Sequence, residues 1–460
     1  MDQILHAGAA RQAQLVREGE ISARELVEAT LRRIEAVDPQ LNAYRVVLAE
    51  RALIEADQAD ARLRAGDARP LLGVPVAIKD DVDVAGEATA WGTAAHAGPV
   101  ARDSEVVRRL RAAGAIVIGK TLVPEMTMLP VTDTTTFGAA RNPWDLGRTP
   151  GGSSGGSAAA AAAGLCGVAL GSDGAGSIRA PAAWCGLFGI KPTRDLVPLA
   201  PHDDGWQGLT HYGPIARTVA DAALFLDATA SEAPEGGFSA VVGRDPGRLR
   251  IAVSLKAPPG LIARIGREER AAVEETARRL QELGHEVVWR DPEYPVPVAL
   301  GVYLRVLRGI ADDVERYMPR RERLEARTRR IAALGARLPA DWVRWARESE
   351  AAWTARLGAL WRDVDVLLAP TCADGPYRAG ELGRLGAAGW LLRAAERIPH
   401  LGVWNLTGQP ACSVPAGFDD DGLPLGVQLV GRHGEETTLL SLAAQLERQR
   451  PWADRLPPLT

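Results

Sequence analysis

Apolar positions recur along this chain with two different periods, and the changes of period mark its elements. Over the first 67 residues the spacing is helical. Ser22 followed by Glu25 makes a capping-box pattern ahead of Leu26, Val27, Ala29 and Leu31. The stretch from Ala49 to Leu63 has similar propensity, and Gly66-Asp-Ala-Arg-Pro70 closes it. An apolar strand then runs from Gly73 to Ile78 and delivers Lys79 at its end. From Asp103 to Ala113 the pattern is helical again, with Val106, Val107 and Leu110 on one face. Gly114 stops that helix, and Ala115 to Gly119 predicts a buried strand. A long irregular stretch rich in Thr, Pro and Gly follows. Ser157 to Leu165 predicts a helix of very small side chains, Gly167 to Leu170 a strand, and Ser177 the opening of a helix through Trp184.

The second half repeats this alternation. Arg248 to Val253 reads as a strand, Arg267 to Leu283 as a helix with Gly284 as its cap, and Glu286 to Trp289 as a strand. Such alternation predicts the α/β class, with a sheet covered by helices on both faces. From Pro297 to Arg362 the pattern turns long and helical, suited to a lid, a wall or an oligomer contact. Asp363 to Ala369, Ala411 to Pro415 and Leu425 to Val430 return to short buried strands, and Glu435 to Arg448 is a final amphipathic helix. No internal repeat or break divides the chain.

Composition narrows the classes. The 460 residues are 46% hydrophobic, enough for a sizeable core. The 54 basic and 58 acidic residues leave a net charge of −4, which gives no footprint for nucleic acid or an anionic membrane. No apolar run reaches membrane-spanning length and no signal-peptide pattern opens the chain, so a cytoplasmic protein is expected. Cys166, Cys185, Cys372 and Cys412 stand far apart among apolar neighbours and read as buried free thiols. The glycine blocks fit neither a dinucleotide nor a P-loop fingerprint, so no cofactor is expected, and no metal.

The candidate chemistry lies in two glycine-rich blocks, Gly151-Gly-Ser153-Ser154-Gly-Gly-Ser157 and Gly171-Ser-Asp173-Gly174-Ala175-Gly176-Ser177-Ile-Arg179. Ser157 starts an apparent helix and can serve as its cap. Ser177 follows a glycine-rich bend that can expose its hydroxyl and aim several N–H groups at one point, although a capping role is equally open. A serine hydroxyl needs a base at neutral pH. Lys79 can supply one if burial keeps its amine neutral, against the charges of Asp80 and Asp81. A structural salt bridge is the competing role.

Together these segments resemble the amidase signature family of serine amidases. Its glycine/serine stretch is matched by Gly151 to Ser157, its second block by Gly171 to Arg179, and its lysine segment by Pro75-Val-Ala-Ile-Lys79-Asp80. Similar sequence continues through Pro214 to Asp221 and the blocks Gly408-Gln-Pro-Ala411 and Gly422-Leu-Pro-Leu-Gly426, covering nearly the whole chain. The resemblance implies a single large mixed β-sheet with helices on both faces. It implies an N-terminal helical segment (1–67) packed on a catalytic domain (68–460), with a variable helical region at about 297–362. It also implies a Ser–cis-Ser–Lys triad. Ser177 would attack, Ser153 would relay the proton after a cis peptide, and Lys79 would accept it. The N–H groups of Gly174, Ala175, Gly176 and Ser177 would hold the oxyanion, with Ser154, Asp173 and Arg179 in support. Two positions depart from many relatives: Gly174-Ala175 replaces Thr or Ile followed by Gly, and Asp81 replaces a common Asn.

The expected substrate is a small-molecule amide, with an aryl or aliphatic one favoured. Met126, Met128, Trp184, Cys185 and Trp206 are the expected pocket, with Trp91 and Trp144 as further channel candidates. Trp342, Trp345, Trp353 and Trp361 suggest a buried helical face, and a homodimer is compatible with this region. The glutamine-hydrolysing component of glutamyl-tRNA amidotransferase is an alternative, against which Gln207-Gly-Leu-Thr-His211 replaces its usual Ser-Leu-Asp-Gln-Ile. Esterase activity and a non-catalytic binding protein are the others.

Overall fold

Side chains alternate across a strand, so Val76 and Ile78 leave the strand Pro75–Lys79 on one side while Ala77 leaves it on the other. All three are fully buried, in two different apolar clusters. This strand therefore has core on both faces, the condition for the centre of a covered sheet. The computed structural model describes all residues except 262, 387, 388, 390–392, 394 and 460.

In chain order the strands are β1 (Tyr44–Val47), β2 (Pro75–Lys79), β3 (Ile116–Thr121), β4 (Asp133–Thr134), β5 (Gly138–Ala139), β6 (Val168–Asp173) and β7 (Phe188–Lys191). They continue with β8 (His211–Ala216), β9 (Arg250–Val253), β10 (Glu286–Trp289), β11 (Val366–Pro370), β12 (Ala411–Phe418) and β13 (Pro424–Gly431). Eleven of them form one sheet in the order β1-β3-β2-β6-β8-β7-β12-β13-β11-β9-β10, and β4 pairs with β5 apart. The sheet is mixed. β3-β2-β6 and β11-β9-β10 are parallel, and the intervening pairs are antiparallel. Helices pack on both faces, as the alternation of elements and the family resemblance imply.

The helix Gly155–Ala162 covers β2 and β6 at close range. All its residues are buried, and a Cβ on Gly156 would stand 2.5 Å from the carbonyl oxygens of Ala43 and Leu122. Small side chains let this helix approach, and the approach brings the preceding serine loop down onto the sheet edge.

Several sequence expectations change. The N-terminal stretch is helical at Gly8–Glu18, Ala23–Leu41 and Ala49–Arg64, with the Ser22–Glu25 capping box formed. It also contributes β1, which pairs antiparallel with β3. Ser157 is not a cap: it sits inside the first turn, and its Oγ donates to the Leu170 carbonyl. β7 and β8 lie at the sheet centre although neither was predicted. Pro214 and Gly213 make β8 look broken in sequence, yet all its residues are buried. Beyond Pro297 the chain forms helices Val298–Tyr317, Ala326–Ala336, Ala340–Glu348 and Glu350–Leu357. Its tryptophans do not form one buried face: Trp353 is buried, but Trp342 is 57% and Trp345 38% exposed. The helix carrying that exposed pair buries Val343 and Ala346 instead. Among the described residues no helix is long and apolar enough to cross a membrane.

Candidate active site

β2 and β6 run parallel as neighbours, with Val76 opposite Val168 and Ile78 opposite Leu170. Their C-terminal ends therefore stand side by side, a common position for ligand sites in α/β sheets. This register sets Lys79 beside Ser172. Lys79 is fully buried, and its Nζ lies 2.7 Å from Ser153 Oγ and 2.6 Å from Ser172 Oγ, and donates to the Ser172 carbonyl at 3.2 Å. Asp81 Oδ2 lies 3.5 Å from Nζ and accepts from Ser172 Oγ at 2.5 Å. Burial pushes the lysine pKa below its ordinary value, against the opposing pull of the Asp81 carboxylate. Asp80 takes no part: it turns away to Arg45 and to Lys120, whose Nζ is 2.9 Å from it.

The Gly152–Ser153 peptide is cis, as the resemblance implies. A Cβ on Gly152 would sit 2.5 Å from the Leu129 carbonyl oxygen, so this loop tolerates only glycine there. Ser154 ties the loop to the second block. Its Oγ donates to the Ser172 carbonyl at 3.1 Å, and its N–H donates to the Ser177 carbonyl at 3.3 Å.

The turn before Ser177 is folded around Asp173. One carboxylate oxygen accepts from the Gly176 N–H at 2.6 Å and the other from the Ile178 N–H at 3.1 Å. Gly176 has φ of 121°, and a Cβ there would meet Leu401 at 2.3 Å. The fully buried Arg179 grips the same carboxylate at 2.9 and 3.0 Å. Arg179 also donates to Asn405 Oδ1 at 2.6 Å and Gln428 Oε1 at 2.7 Å, while Asn405 Nδ2 donates back to Asp173 Oδ1 at 2.8 Å. Burial alone would raise the Asp173 pKa, but Arg179 and these hydrogen bonds hold it well below the carboxylate range. Arg179→Met would leave that carboxylate buried without its cation, and we expect a loss of about 3–5 kcal/mol in urea unfolding.

Of the four N–H groups expected to face an oxyanion, that of Gly176 is engaged by Asp173. Those of Gly174, Ala175 and Ser177 meet no acceptor among the described residues. Sequence reasoning missed Ser172, Asn405 and Gln428. Ser172 lies inside the quoted block, so its position was visible, but its partner was not.

Ser177 opens into two clefts. The first spans about 930 Å³, counting its open mouth, and is lined by Met128, Leu129, Ala175, Trp206 and the Val298, Val302, Val306 and Ile310 face of one helix. The second spans about 840 Å³ on the same measure and is polar, lined by Ser153, Ser172, Trp91, His202 and several carboxylates. The helix Val298–Tyr317 walls both, its apolar stripe giving way to Asp312, Asp313 and Arg316. Burial pushes the Asp313 carboxyl up to about 7, opposed by a hydrogen bond from Trp206. Trp206 faces both clefts and packs where a Cβ on Gly174 would stand, 2.6 Å from its ring.

Met128 and Trp206 thus line the clefts, whereas Met126, Trp184 and Cys185 line neither. Met126 is fully buried. Trp184 donates its indole N–H to the Asp374 carbonyl and meets Tyr377 edge-on. Cys185 Sγ faces the Pro150 carbonyl, on the sheet face carrying the N-terminal helices. Trp144 packs on Phe418, away from both clefts.

Residues 25–440 match the family described as Amidase. AmiB2 of Mycobacterium tuberculosis is 54% identical over 452 residues, covering 98% of each chain. The solved structure of 6-aminohexanoate cyclic dimer hydrolase complexed with substrate superposes with a TM-score of 0.88 at 33% identity, over 99% of both chains. That of a bacterial aryl acylamidase of the amidase signature family gives 0.85 at 27% identity, over 97% of both. The match spans the serine blocks, the lysine strand and the sheet that joins them: this chain belongs to the amidase signature family and hydrolyses amide bonds by serine catalysis.

Proposed function

We propose that Ser177 is the nucleophile, Ser153 the proton relay and Lys79 the base of an amidase acting on amides of hydrophobic acids. The observation that carries this reading is the 2.7 Å contact between Lys79 Nζ and Ser153 Oγ, in a buried setting that favours the neutral amine. Ser153 and Ser177 open into the same polar cleft.

In this mechanism neutral Lys79 takes the Ser153 proton as Ser153 takes that of Ser177. Ser177 Oγ then adds to the amide carbonyl carbon, and the N–H groups of Gly174, Ala175 and Ser177 stabilise the oxyanion. Collapse breaks the C–N bond, and the relay returns its proton to the leaving nitrogen through Ser153. Water adds to the acyl-enzyme by the same relay, releasing the carboxylate and restoring Ser177. Ser154, Asp173 and Arg179 act on the shape of the two loops and touch no reacting atom.

The two clefts divide the substrate between them. The leaving nitrogen must lie within reach of Ser153, which lines the polar cleft and not the apolar one. The acyl group therefore enters the apolar cleft beside Met128, Ala175 and Val302. Each buried methylene contributes about 0.8 kcal/mol, which converts to a rise of roughly fourfold in kcat/KM. A series of straight-chain acyl amides should show that slope until the cleft is full. A flat series from acetyl to octanoyl would contradict the hydrophobic assignment. Matched esters run in parallel separate amidase from esterase preference.

Cytoplasmic location and a homodimer belong to the same reading. The four unpaired, buried thiols support the first. The exposed Leu300, Leu334, Trp342 and Trp345 support the second, and a monomer in sedimentation would remove it.

A further inference from the structure

The polar cleft carries more acidic groups than its contacts use. Asp81, Asp204, Asp312 and Asp313 line it, against Arg316 at its exposed side. Asp204 is already paired with Arg347 at 2.8 Å, and Asp312 with Arg308 at 2.8 Å. Neither has charge to spare for a ligand. The other two differ.

Asp81 is 4% exposed and lines the cleft, and its Oδ1 has no hydrogen-bond partner among the described residues. A buried carboxylate oxygen without a donor is costly, which makes Oδ1 an acceptor awaiting one. Its nearest cation is Lys79, which carries no charge while it acts as the base. Asp313 forms no ion pair among the described residues, with Trp206 as its hydrogen-bond donor, and it faces the same space from the wall helix. With Lys79 neutral, the cleft thus presents two carboxylates without an ion-pair partner to whatever leaves from Ser177.

We infer that the polar cleft recognises a positively charged leaving group, so that the preferred substrates join an apolar acid to a diamine or similar cationic amine. The inference rests on the proposed division of acyl and amine groups between the two clefts. An ammonium group held at Asp313 would also lie in the field of the buried Asp81 carboxylate on the same cleft. The reaction is ordinary amide hydrolysis: water adds, the C–N bond breaks, and the nitrogen that leaves takes one proton. The second, charged nitrogen does not react. It only holds the substrate in register. His202 stays out of this contact, with its Nε2 3.3 Å from Asp83.

The test uses three octanoyl amides with leaving groups of similar length: putrescine (cationic), pentylamine (neutral) and γ-aminobutyrate (anionic). The assays are run at about pH 8, above the value of about 7 to which burial pushes the Asp313 carboxyl. We expect kcat/KM for the putrescine amide to exceed that for the pentyl amide by at least about tenfold, with the anionic amide lower still by a similar factor. Asp313→Asn should reduce the cationic-to-neutral ratio to about threefold or less, the ratio being the readout. An equal or better pentyl amide, or a ratio unmoved by the substitution, would overturn the inference. Calorimetry on Ser177→Ala with the same amides separates recognition from chemistry. The same ranking of Kd supports the cation site even if the wild-type protein turned over none of the three, a result that would contradict only the catalytic assignment. Equal Kd values would refute the site.

Discussion

Ser177→Ala should lower kcat for any amide by at least roughly 10⁴-fold, the scale expected when the nucleophile of a serine hydrolase is lost. The protein should remain folded. Ser177 is only partly buried, and loss of one cleft-facing hydroxyl typically costs no more than about 0.5 kcal/mol. Thermal unfolding and turnover measured on one preparation separate the two effects. Ser154 and Ser157 cannot take over the role, because each is buried with its Oγ committed to a backbone carbonyl. A variant that kept its activity would put the nucleophile elsewhere and would undo the assignment of both clefts.

Lys79→Met should cost at least about 10³-fold in kcat/KM, near the upper range for removing a general base. Methionine fills the stem volume without the amine. Relief of the buried amine's desolvation opposes the loss of its hydrogen bonds to Ser153 and Ser172, so thermal unfolding is measured alongside turnover to show that the variant is folded. Wild-type kcat/KM should also fall with an acid limb. Because burial lowers the folded pKa of Lys79 from its ordinary 10.5, the neutral amine persists to lower pH, and activity is lost as pH drops through that lowered value. Asp81 opposes this shift, since its charge favours the protonated amine. Asp81→Asn should accordingly move the acid limb to lower pH. A limb that stays in place in the Asp81 variant, or persists in Lys79→Met, would assign it to another group.

The serine blocks were legible because glycine-rich turns leave a dense local signature, and Lys79 because an apolar strand ends on it. The Ser22 capping box was legible for the same reason, being written within four residues. What was not legible depends on pairing between distant segments. Ser172 meets Lys79 only because β2 and β6 adopt one register. Asn405 and Gln428 reach Arg179 from segments more than 200 positions away, so no local pattern announces them. β8 was hidden by Pro214, whose missing N–H argues against a central strand until neighbours on both sides are seen. Trp184 and Cys185 failed as pocket residues for a related reason. Proximity in sequence placed them near Ser177, but the helix Arg179–Trp184 and its cap Cys185 lead away from the clefts and into the core. The same helix carries Arg179 into contact with Asp173, two residues that the resemblance marks as supporting ones.

The pair of clefts was likewise out of reach of sequence. It depends on Trp206, which occupies the space that a side chain at Gly174 would fill, and on one helix whose face changes from apolar to acidic along its length. The ring packed against Gly174 is a physical reason for glycine at this position.

The most direct test of the account is the identity of the acylated residue. The protein is mixed with an activated octanoyl amide, quenched in acid within milliseconds, digested and read by peptide mass spectrometry. The account predicts an octanoyl group on Ser177, absent from Ser177→Ala and sharply reduced in Lys79→Met. An octanoyl group on Ser153, Ser154 or any other side chain, with Ser177 unmodified, would contradict it.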